Sequence, residues 1–545
     1  MKQLNTLLIL LVSACFLQAQ VRYLDQIFDE VAFQADIPYG TNISVLQAPT
    51  ILPIPLTMDM YSPVGDDLEE RPVIIYLHTG SFLPQYFNGG ITGSKKDSTV
   101  VEICTRLAKM GYVVFAATYR QGWNPIATGP EGQNIRTGTL LNAAYRGIQD
   151  ARTCIRFLRK EYATNNNPYG IDPEKIVLWG QGTGGYISLG AAFLDEFAEV
   201  NLEKFIDTET LLPYVDTNLN GNPYATTDKP LCLSNWVGYS SEFKMAINMG
   251  GALGDISWID GDAGTNEEPA LIGFHMVNDP FAPFADGPVI VPTTGDFVVN
   301  VSGTRTAVGR TNDVGSNDPL IDVNAALLTS GDGLTQLVQA FKPVVLPTPP
   351  FQPAGITLAT DNMYPFRATG VSQFESGPWD WWDYPRLVAE IAFINAALGT
   401  NFDADVLHNN GLITNPNMSP EKARSYIDTV VAFYAPRGCA ALGLADCCEA
   451  LGIECATSVE EILDGTAVSL QIMPNPASER ITIETDAAFP MLAVEVFNLS
   501  GQRVYTDTNI NNHFYTLERG ALPNGMYVIK LRFDKGISTQ KVLFH

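Results

Sequence analysis

The stretch from residue 175 to residue 190, KIVLWGQGTGGYISLG, joins a short apolar run to a corner rich in glycine. The run from Ile176 to Trp179 is apolar and β-branched, which is typical of a buried strand. Glycines at 180, 182 and 184 permit a sharp backbone turn that residues with side chains rarely adopt. The stretch therefore predicts a strand, a tight corner and then a helix beginning near Tyr186.

A corner of this kind is typical of a nucleophile elbow, in which a G-x-S-x-G sequence holds a serine hydroxyl above a sheet. The corner here reads Gly180-Gln181-Gly182-Thr183-Gly184, so glycine stands at the apex, position 182. The sequence thus predicts the setting of a nucleophile without the nucleophile itself.

Apolar strands and amphipathic helices alternate on both sides of this corner. Continuous apolar strands with short connections are typical of a mostly parallel sheet covered on both faces. We therefore predict an α/β fold with a doubly wound, mostly parallel sheet in residues 21–455. A short helix is expected at residues 23–33. Residues 281–380 are rich in Pro, Gly, Asn and Asp, and we interpret them as an insertion or cap over the sheet edge.

The pattern changes to a period of two residues from Val468 onward. Short alternating strands separated by Gly, Asn and Pro turns predict a small all-β sandwich in residues 468–545. Residues 456–467 are expected to be a linker. A chain of 545 residues is too long for one ordinary core, which agrees with this division.

Residues 1–20 are predicted to be a signal peptide, with Lys2 before the apolar run Leu7–Val12 and small residues before position 20. Val12-Ser13-Ala14-Cys15 is compatible with a lipoprotein cleavage box instead. No later run has transmembrane length, so an exported protein without a transmembrane segment is expected. The net charge of −26 argues against nucleic acid and anionic membranes as partners.

Four of the cysteines fall close together, at Cys439, Cys447, Cys448 and Cys455. Export permits disulfides, and we favour disulfide bonding of this segment over a metal site, because it has no C-x-x-C pair and no nearby histidine. Residues 216–221 match the opening of a calcium loop. Thr227 holds the twelfth position, where such a loop needs Glu, so a polar turn is expected. We predict no metal and no cofactor.

Residues 50–440 resemble the carboxylesterase branch of the α/β-hydrolase superfamily. His78-Thr79-Gly80-Ser81-Phe82 is similar to that family's H-G-G-G-F oxyanion loop. Thr118–Trp123 is similar to its N-Y-R-L-G run, and Asp150-Ala151-Arg152 lies on the helix before the elbow. The resemblance implies an α/β-hydrolase domain acting on carboxylic esters.

The last segment resembles the C-terminal (Por) sorting domain of type IX secretion. The matching residues are Pro474-Asn475-Pro476, Leu522–Tyr527 and the basic-apolar close Lys541-Val542-Leu543. This resemblance implies the type IX secretion machinery as a partner. It also implies a location outside the cell or on its outer surface.

The resemblance of residues 50–440 to carboxylesterases also implies site residues. Asp279 is the expected acid, although a turn-forming Asp before proline is the other interpretation. His408, placed in a loop, is the expected base, with a plain surface histidine as the other interpretation. His275 is expected to be a core residue. Backbone N–H groups of Gly80, Ser81 and Thr183 are the expected oxyanion donors, and Gly182 holds the nucleophile position.

Two further hydroxyls, those of Thr183 and Ser81, are weak candidates for the missing nucleophile. Three functions remain open. The first is weak or altered hydrolysis of a small or polymer-derived ester. The second is a pseudoenzyme that binds a small ligand or surface component without turnover, and the third is a purely structural cell-surface component.

Overall fold

The computed structural model of the chain forms two compact units, Met1–Cys455 and Ala456–His545. The predicted signal peptide and linker lie almost wholly outside the described residues. The structure describes residues 20–261, 268–291, 294–344, 357–368, 374–455, 468–487, 489–498, 503–507, 510, 512–520, 522–533 and 536–545.

The first unit is built on an eight-stranded sheet in the order β1-β2-β4-β3-β5-β6-β8-β11. The first two strands pair antiparallel, as do β2 and β4, and every other neighbouring pair is parallel. The predicted mostly parallel sheet is confirmed. The strands of this unit are β1 (Val31–Ser44), β2 (Leu52–Pro63), β3 (Arg71–Leu77), β4 (Val113–Ala117), β5 (Ile171–Gln181), β6 (Met245–Met249), β7 (Ala252–Leu253), β8 (Ala270–Met276), β9 (Asp286–Ile290), β10 (Phe297–Gly303) and β11 (Met363–Phe366).

Both faces of the sheet are buried, and successive side chains of a strand enter different cores. In β3, Val73, Ile75 and Leu77 belong to one core, whereas Ile74 and Tyr76 belong to the other. This alternation explains why β3 is a continuous apolar run in the sequence. The helices that cover the sheet and extend the unit are α1 (Ser98–Lys109), α2 (Gly132–Thr164), α3 (Thr183–Phe193), α4 (Thr217–Asn220), α5 (Thr304–Val314), α6 (Ile321–Ser330), α7 (Gly333–Phe341), α8 (Tyr384–Leu398), α9 (Ala404–Thr414), α10 (Pro420–Leu442) and α11 (Ala445–Leu451).

Helices α2, α3 and α5 lie against one face, and α1, α6, α7 and α10 against the other. The doubly wound arrangement follows from this two-sided cover. Register across the sheet pairs Leu77 with Gly180, and Gly180 with Asn248. The ends of β3, β5 and β6 therefore meet at one edge, where the glycine-rich corner lies.

Two expectations from the sequence are corrected. The helix expected at residues 23–33 does not form: Tyr23 has φ of 69°, which an α-helix cannot contain, and β1 begins at Val31. Residues 281–380 are not one inserted cap, because β11 is the eighth strand of the sheet and pairs parallel with β8. Within this stretch, β9 and β10 join β7 in a small antiparallel sheet.

The second unit consists of two antiparallel sheets around a core of its own, which confirms the predicted β-sandwich. One sheet has the order β12-β13-β16 and the other the order β15-β14-β17-β18. Ile481, Val494 and Ile529 are among the residues in the shared core. The strands are β12 (Gln471–Met473), β13 (Arg480–Glu484), β14 (Ala493–Asn498), β15 (Arg503–Asp507), β16 (Phe514–Glu518), β17 (Gly525–Phe533) and β18 (Gly536–Phe544).

Candidate active site

The glycine-rich corner has the backbone of a nucleophile elbow. Strand β5 ends at Gln181, Gly182 takes φ of 54° and ψ of −116°, and α3 begins at Thr183. Non-glycine residues rarely adopt such a positive φ, and where they do it is commonly at functional sites. The amide of Gly182 donates to the Met249 carbonyl over 2.8 Å, which fixes the apex to the end of β6. The elbow therefore forms as predicted, except that α3 starts three residues earlier than Tyr186.

Thr79 fills the space that a side chain at the apex would need. A Cβ built on Gly182 would lie 2.8 Å from the Cβ of Thr79 and still closer to its Oγ1. Real Cβ atoms do not approach other atoms so closely, so no residue larger than glycine fits at position 182 while Thr79 keeps its conformation. In the resembling family this loop position is glycine, and the two substitutions here are sterically coupled.

The loop after β3 has the strained backbone expected of an oxyanion loop. Gly80 has φ of 133° and Ser81 has φ of 55°. Among the described residues, the backbone N–H groups of Gly80, Ser81 and Thr183 have no protein acceptor. Three open donors at a strand end and a helix start are suited to a carbonyl or carboxylate oxygen.

Tyr119 connects this loop to the elbow. Its hydroxyl lies 2.8 Å from the His78 carbonyl, to which it donates, and 2.9 Å from Oγ1 of Thr183. Because the single hydroxyl hydrogen of Tyr119 is used on His78, Thr183 donates to Tyr119. The Thr183 hydroxyl is thereby held against the loop.

His78 is a buried structural residue of the same loop. Its Nδ1 lies 2.5 Å from the Thr79 carbonyl, so that nitrogen donates. Burial lowers the pKa of His78 to about 4, which keeps the ring neutral at physiological pH. Its ring stacks on Tyr119 at 4.8 Å between centroids.

Two further segments that carry the resemblance, residues 118–123 and 150–152, meet in a buried ion pair. Arg120 and Asp150 are both fully buried, 2.9 Å apart, and the carboxylate also accepts the Arg120 backbone N–H over 2.8 Å. This contact joins the run after β4 to helix α2, next to the elbow. These two segments therefore have a structural role, because their ion pair ties the chain after β4 to helix α2.

Asp279, the expected acid, lies three residues beyond the end of β8. Its Oδ1 accepts the backbone N–H groups of Phe281 over 2.7 Å and Ala282 over 3.2 Å. Its Oδ2 accepts the hydroxyl of Ser376 over 2.7 Å. Burial raises the pKa of Asp279 to about 6, although these hydrogen bonds act in the opposite direction.

The structure places His408 in helix α9, so its expected position in a loop is wrong. Its Nδ1 accepts the indole N–H of Trp382 over 3.0 Å, and its ring packs against Tyr384. Among the described residues, the hydrogen-bond donors to Asp279 do not include His408. The side chain that meets the acid is Ser376, which lies after the last strand of the sheet.

His275 is a core histidine, as expected. Its side chain is completely buried, its Nδ1 lies 2.6 Å from the Thr304 hydroxyl, and its Nε2 lies 3.1 Å from the Ala282 carbonyl. Burial lowers its pKa to about 4. It positions the segment that carries Asp279.

Two carboxylates with shifted pKa values were not predicted from the sequence: Asp380, which is half-buried beside the elbow, and Asp97, which is buried. Asp380 accepts the Thr99 hydroxyl over 2.6 Å and the Gln181 amide over 2.8 Å, and burial raises its pKa to about 6. Asp97 accepts the N–H groups of Gly93 and Ser94, and burial raises its pKa to about 8. Their place in sequence, an Asp between tryptophans and an Asp before a helix, gives no signal of burial.

The clustered cysteines form two disulfides, Cys439–Cys447 and Cys448–Cys455, which confirms the favoured interpretation. Cys104, Cys154 and Cys232 are buried free thiols. Asp216 accepts the Asn218 N–H at the start of the short helix α4, so the calcium-like sequence is a polar turn. In the described part of the chain, no group of three or more His, Cys, Asp or Glu side chains could hold a metal ion, and no helix is long and apolar enough to cross a membrane.

The strand order, the two-sided helical cover and the elbow together define an α/β-hydrolase fold. Residues 471–545 match the family model of the secretion system C-terminal sorting domain. That domain marks the chain for export by the type IX secretion system, to the cell surface or beyond. A comparison with curated protein sequences gave no match.

Solved structures with similarity to the chain include esterases of the Planctomycetes species Thermogutta terrifontis. A propionate-bound thermophilic esterase is 14% identical, with a TM-score of 0.32, over 67% of this chain and 94% of that one. The apo form of esterase 2 is 19% identical, with a TM-score of 0.25, over 46% and 74%. Esterase 2 phosphorylated by paraoxon is 19% identical, with a TM-score of 0.26, over 46% and 73%.

Proposed function

We propose that this protein is an exported pseudoenzyme of the α/β-hydrolase fold, which binds a small carboxylic ester or acid at the elbow and does not hydrolyse it through a catalytic triad. The observation that carries the proposal is the steric coupling of Gly182 and Thr79. The apex lacks a nucleophile, and the threonine fills the volume in which one would stand.

The base is replaced as well as the nucleophile. In a Ser-His-Asp triad the acid accepts a hydrogen bond from the histidine, whose other nitrogen takes the nucleophile's proton. Here a serine hydroxyl makes the contact with Asp279. A serine hydroxyl has no ionisation near neutral pH that would let it remove a proton, so the acid no longer supports general base catalysis.

The backbone donors of the site remain available to bind a ligand. The N–H groups of Gly80, Ser81 and Thr183 are open donors in the described structure, and they suit the oxygen of an ester carbonyl or of a carboxylate. We infer a ligand of that class, small or derived from a polymer.

The same donors favour a second candidate, weak hydrolysis by water. An oxyanion hole and bound substrate alone can leave about 10³–10⁴-fold enhancement over water after a triad member is removed. Such activity would need a water molecule to reach the carbonyl beside Thr79. It would also proceed without an acyl-enzyme intermediate.

Binding is tested with butyrate and a pair of variants at Thr183. Proline is tolerated at the first position of a helix and has no N–H, so Thr183→Pro removes one donor. Thr183→Ala is the matched control, because it loses the same side chain and keeps the N–H. We expect butyrate to bind the natural protein and Thr183→Ala, and to bind Thr183→Pro at least tenfold more weakly.

Turnover is measured in parallel on 4-nitrophenyl acetate with residues 21–545, against heat-denatured protein. The proposal predicts equal rates. Turnover above the denatured control would favour the second candidate. Equal butyrate affinity for both Thr183 variants, with native circular dichroism spectra, would exclude this N–H group from ligand binding.

A further inference from the structure

A cavity of about 50 Å³ lies in the first unit, and Tyr186 near the start of α3 is part of its lining. Helices α2 and α3 form two of its walls, and strands β7 and β10 of the small antiparallel sheet form another. Its lining includes Leu140, Ile148, Phe205, Trp258 and Val301, and none of the open N–H donors of the elbow belongs to it. The cavity is therefore a second place where a ligand could bind.

The lining gives water almost nothing to bind. Its few polar atoms include the hydroxyl of Tyr145, which donates to the Gly221 carbonyl over 2.8 Å, and the indole N–H of Trp258, which donates to the Glu199 carbonyl over 3.2 Å. A site that holds water needs two to four polar partners, whereas an apolar cavity stays dry and accepts apolar atoms. The lining therefore suits an apolar group better than water.

The wall opposite the helices is firmly held. The hydroxyl of Thr137 on α2 donates to the Val298 carbonyl on β10 over 2.6 Å. The ammonium of Lys204 donates to the Gly254 carbonyl over 2.7 Å and to the Asn300 carbonyl over 3.1 Å. Hydrogen bonds therefore join the small sheet to α2 and to the 3₁₀ segment at residues 203–205. These contacts hold the walls of the cavity apart at a fixed distance.

Part of the cavity lining is accessible to solvent. Leu141, Ala144, Tyr186 and Gly254 line it and are only half-buried, whereas Leu140, Ile148 and Val301 are buried. A volume of about 50 Å³ is larger than one water molecule needs and smaller than the engineered cavities of about 150 Å³ that take benzene. An aliphatic chain of a few carbons matches this size and this chemistry.

We propose that this cavity is a binding site for a short aliphatic chain. The chain is held by contacts with Leu140, Ile148, Phe205, Trp258 and Val301 alone. The site goes beyond the proposed binding at the elbow, since it uses none of the oxyanion donors and does not depend on what occupies them.

The test uses dissolved propane and xenon as probes, observed through the methyl resonances of the full chain from residue 21. We expect saturable shifts of the methyl groups of Leu140, Ile148, Val299 and Val301. Ala144→Leu fills the cavity and should weaken propane binding at least tenfold. Ala192→Leu makes the same change on α3 outside this cavity and should leave the shifts intact.

A second variant tests the site by enlarging it. Leu140→Ala adds volume to the cavity and should admit benzene, which the natural protein excludes on grounds of size. Absence of any xenon or propane shift in the natural protein would overturn the proposal, as would shifts that survive Ala144→Leu. Butyrate binding at the elbow is measured separately with the Thr183 pair, so failure of one site is distinguishable from failure of the other.

Discussion

The hydroxyl of Ser376 donates to Oδ2 of Asp279 over 2.7 Å, which is the contact that a triad histidine would make with its acid. Asp279 lies three residues after β8, and Ser376 lies ten residues after β11, the parallel neighbour of β8. At the position expected for the acid, Asp279 is thus a hydrogen-bonded carboxylate with a serine as its side-chain partner.

Replacement of Ser376 by alanine should destabilise the protein in a pH-dependent way. The hydroxyl stabilises the ionised carboxylate, so its loss raises the pKa of Asp279 above its present value of about 6. At pH 8, where the carboxylate is ionised, we expect a loss of about 1–3 kcal/mol in the free energy of unfolding. At pH 5 the loss should be smaller. Urea unfolding at both values measures it, with Ser376→Thr as the control that keeps the hydroxyl. Equal losses at pH 5 and pH 8 would contradict this role.

Restoring the nucleophile should require more than one substitution. Gly182→Ser alone places its Cβ against Thr79 in a positive-φ conformation, and should cost about 1–3 kcal/mol of stability without giving activity. Adding Thr79→Gly removes the obstruction, and adding Ser376→His supplies a base next to Asp279. We expect hydrolysis of 4-nitrophenyl acetate to rise at least 100-fold only in the triple variant, in line with the contribution of a positioned base. High activity of Gly182→Ser by itself would show that Thr79 does not block the apex.

The carboxyl groups of Asp97 and Asp380 should make the protein less stable as the pH rises. Burial raises the pKa of Asp97 to about 8 and that of Asp380 to about 6, above the ordinary value near 4. A carboxyl group with a raised pKa in the folded state contributes its full stability below pH 4, where it is protonated in both states. That stability is lost as the pH rises from 4 through the folded pKa, about 6 for Asp380 and about 8 for Asp97. One proton held by Asp97 only in the folded state gives a slope of about −1.4 kcal/mol per pH unit between roughly pH 5 and pH 8. Denaturant unfolding across this range should show the slope, and Asp97→Asn should flatten its upper part. An unchanged slope in that variant would assign the effect to other groups.

The two disulfides near the end of the first unit should each contribute to its stability. They close sequence separations of eight and seven residues, for which the chain-entropy model gives about 2–3 kcal/mol each. Dithiothreitol should therefore lower the thermal midpoint of the first unit. A variant with all four cysteines replaced by alanine should begin at the lower midpoint and show no response to the reductant. A response in that variant would contradict this assignment, because the remaining cysteines are free thiols that dithiothreitol cannot reduce.

The local sequence pattern was enough to predict the central sheet, the elbow and the β-sandwich, because strand burial and glycine corners depend on residues that are adjacent in the sequence. Strand β11 was missed because its four residues lie in a stretch rich in proline and glycine, and its pairing with β8 is not a local property. The role of Ser376 could not be predicted, since a serine in a loop carries no signal and the chain order favoured His408. The obstruction of position 182 by Thr79 joins residues about a hundred positions apart, and only the register of β3 and β5 brings them together.

We propose that the elbow has no hydroxyl able to attack an acyl or phosphoryl centre. This claim is tested most directly by incubating residues 21–545 with diisopropyl fluorophosphate and measuring the intact mass, with the triple variant at positions 79, 182 and 376 as the positive control. The account predicts an unchanged mass for the natural protein and one adduct for the variant, on the serine introduced at position 182. An adduct on Thr183 or Ser81 of the natural protein would contradict it.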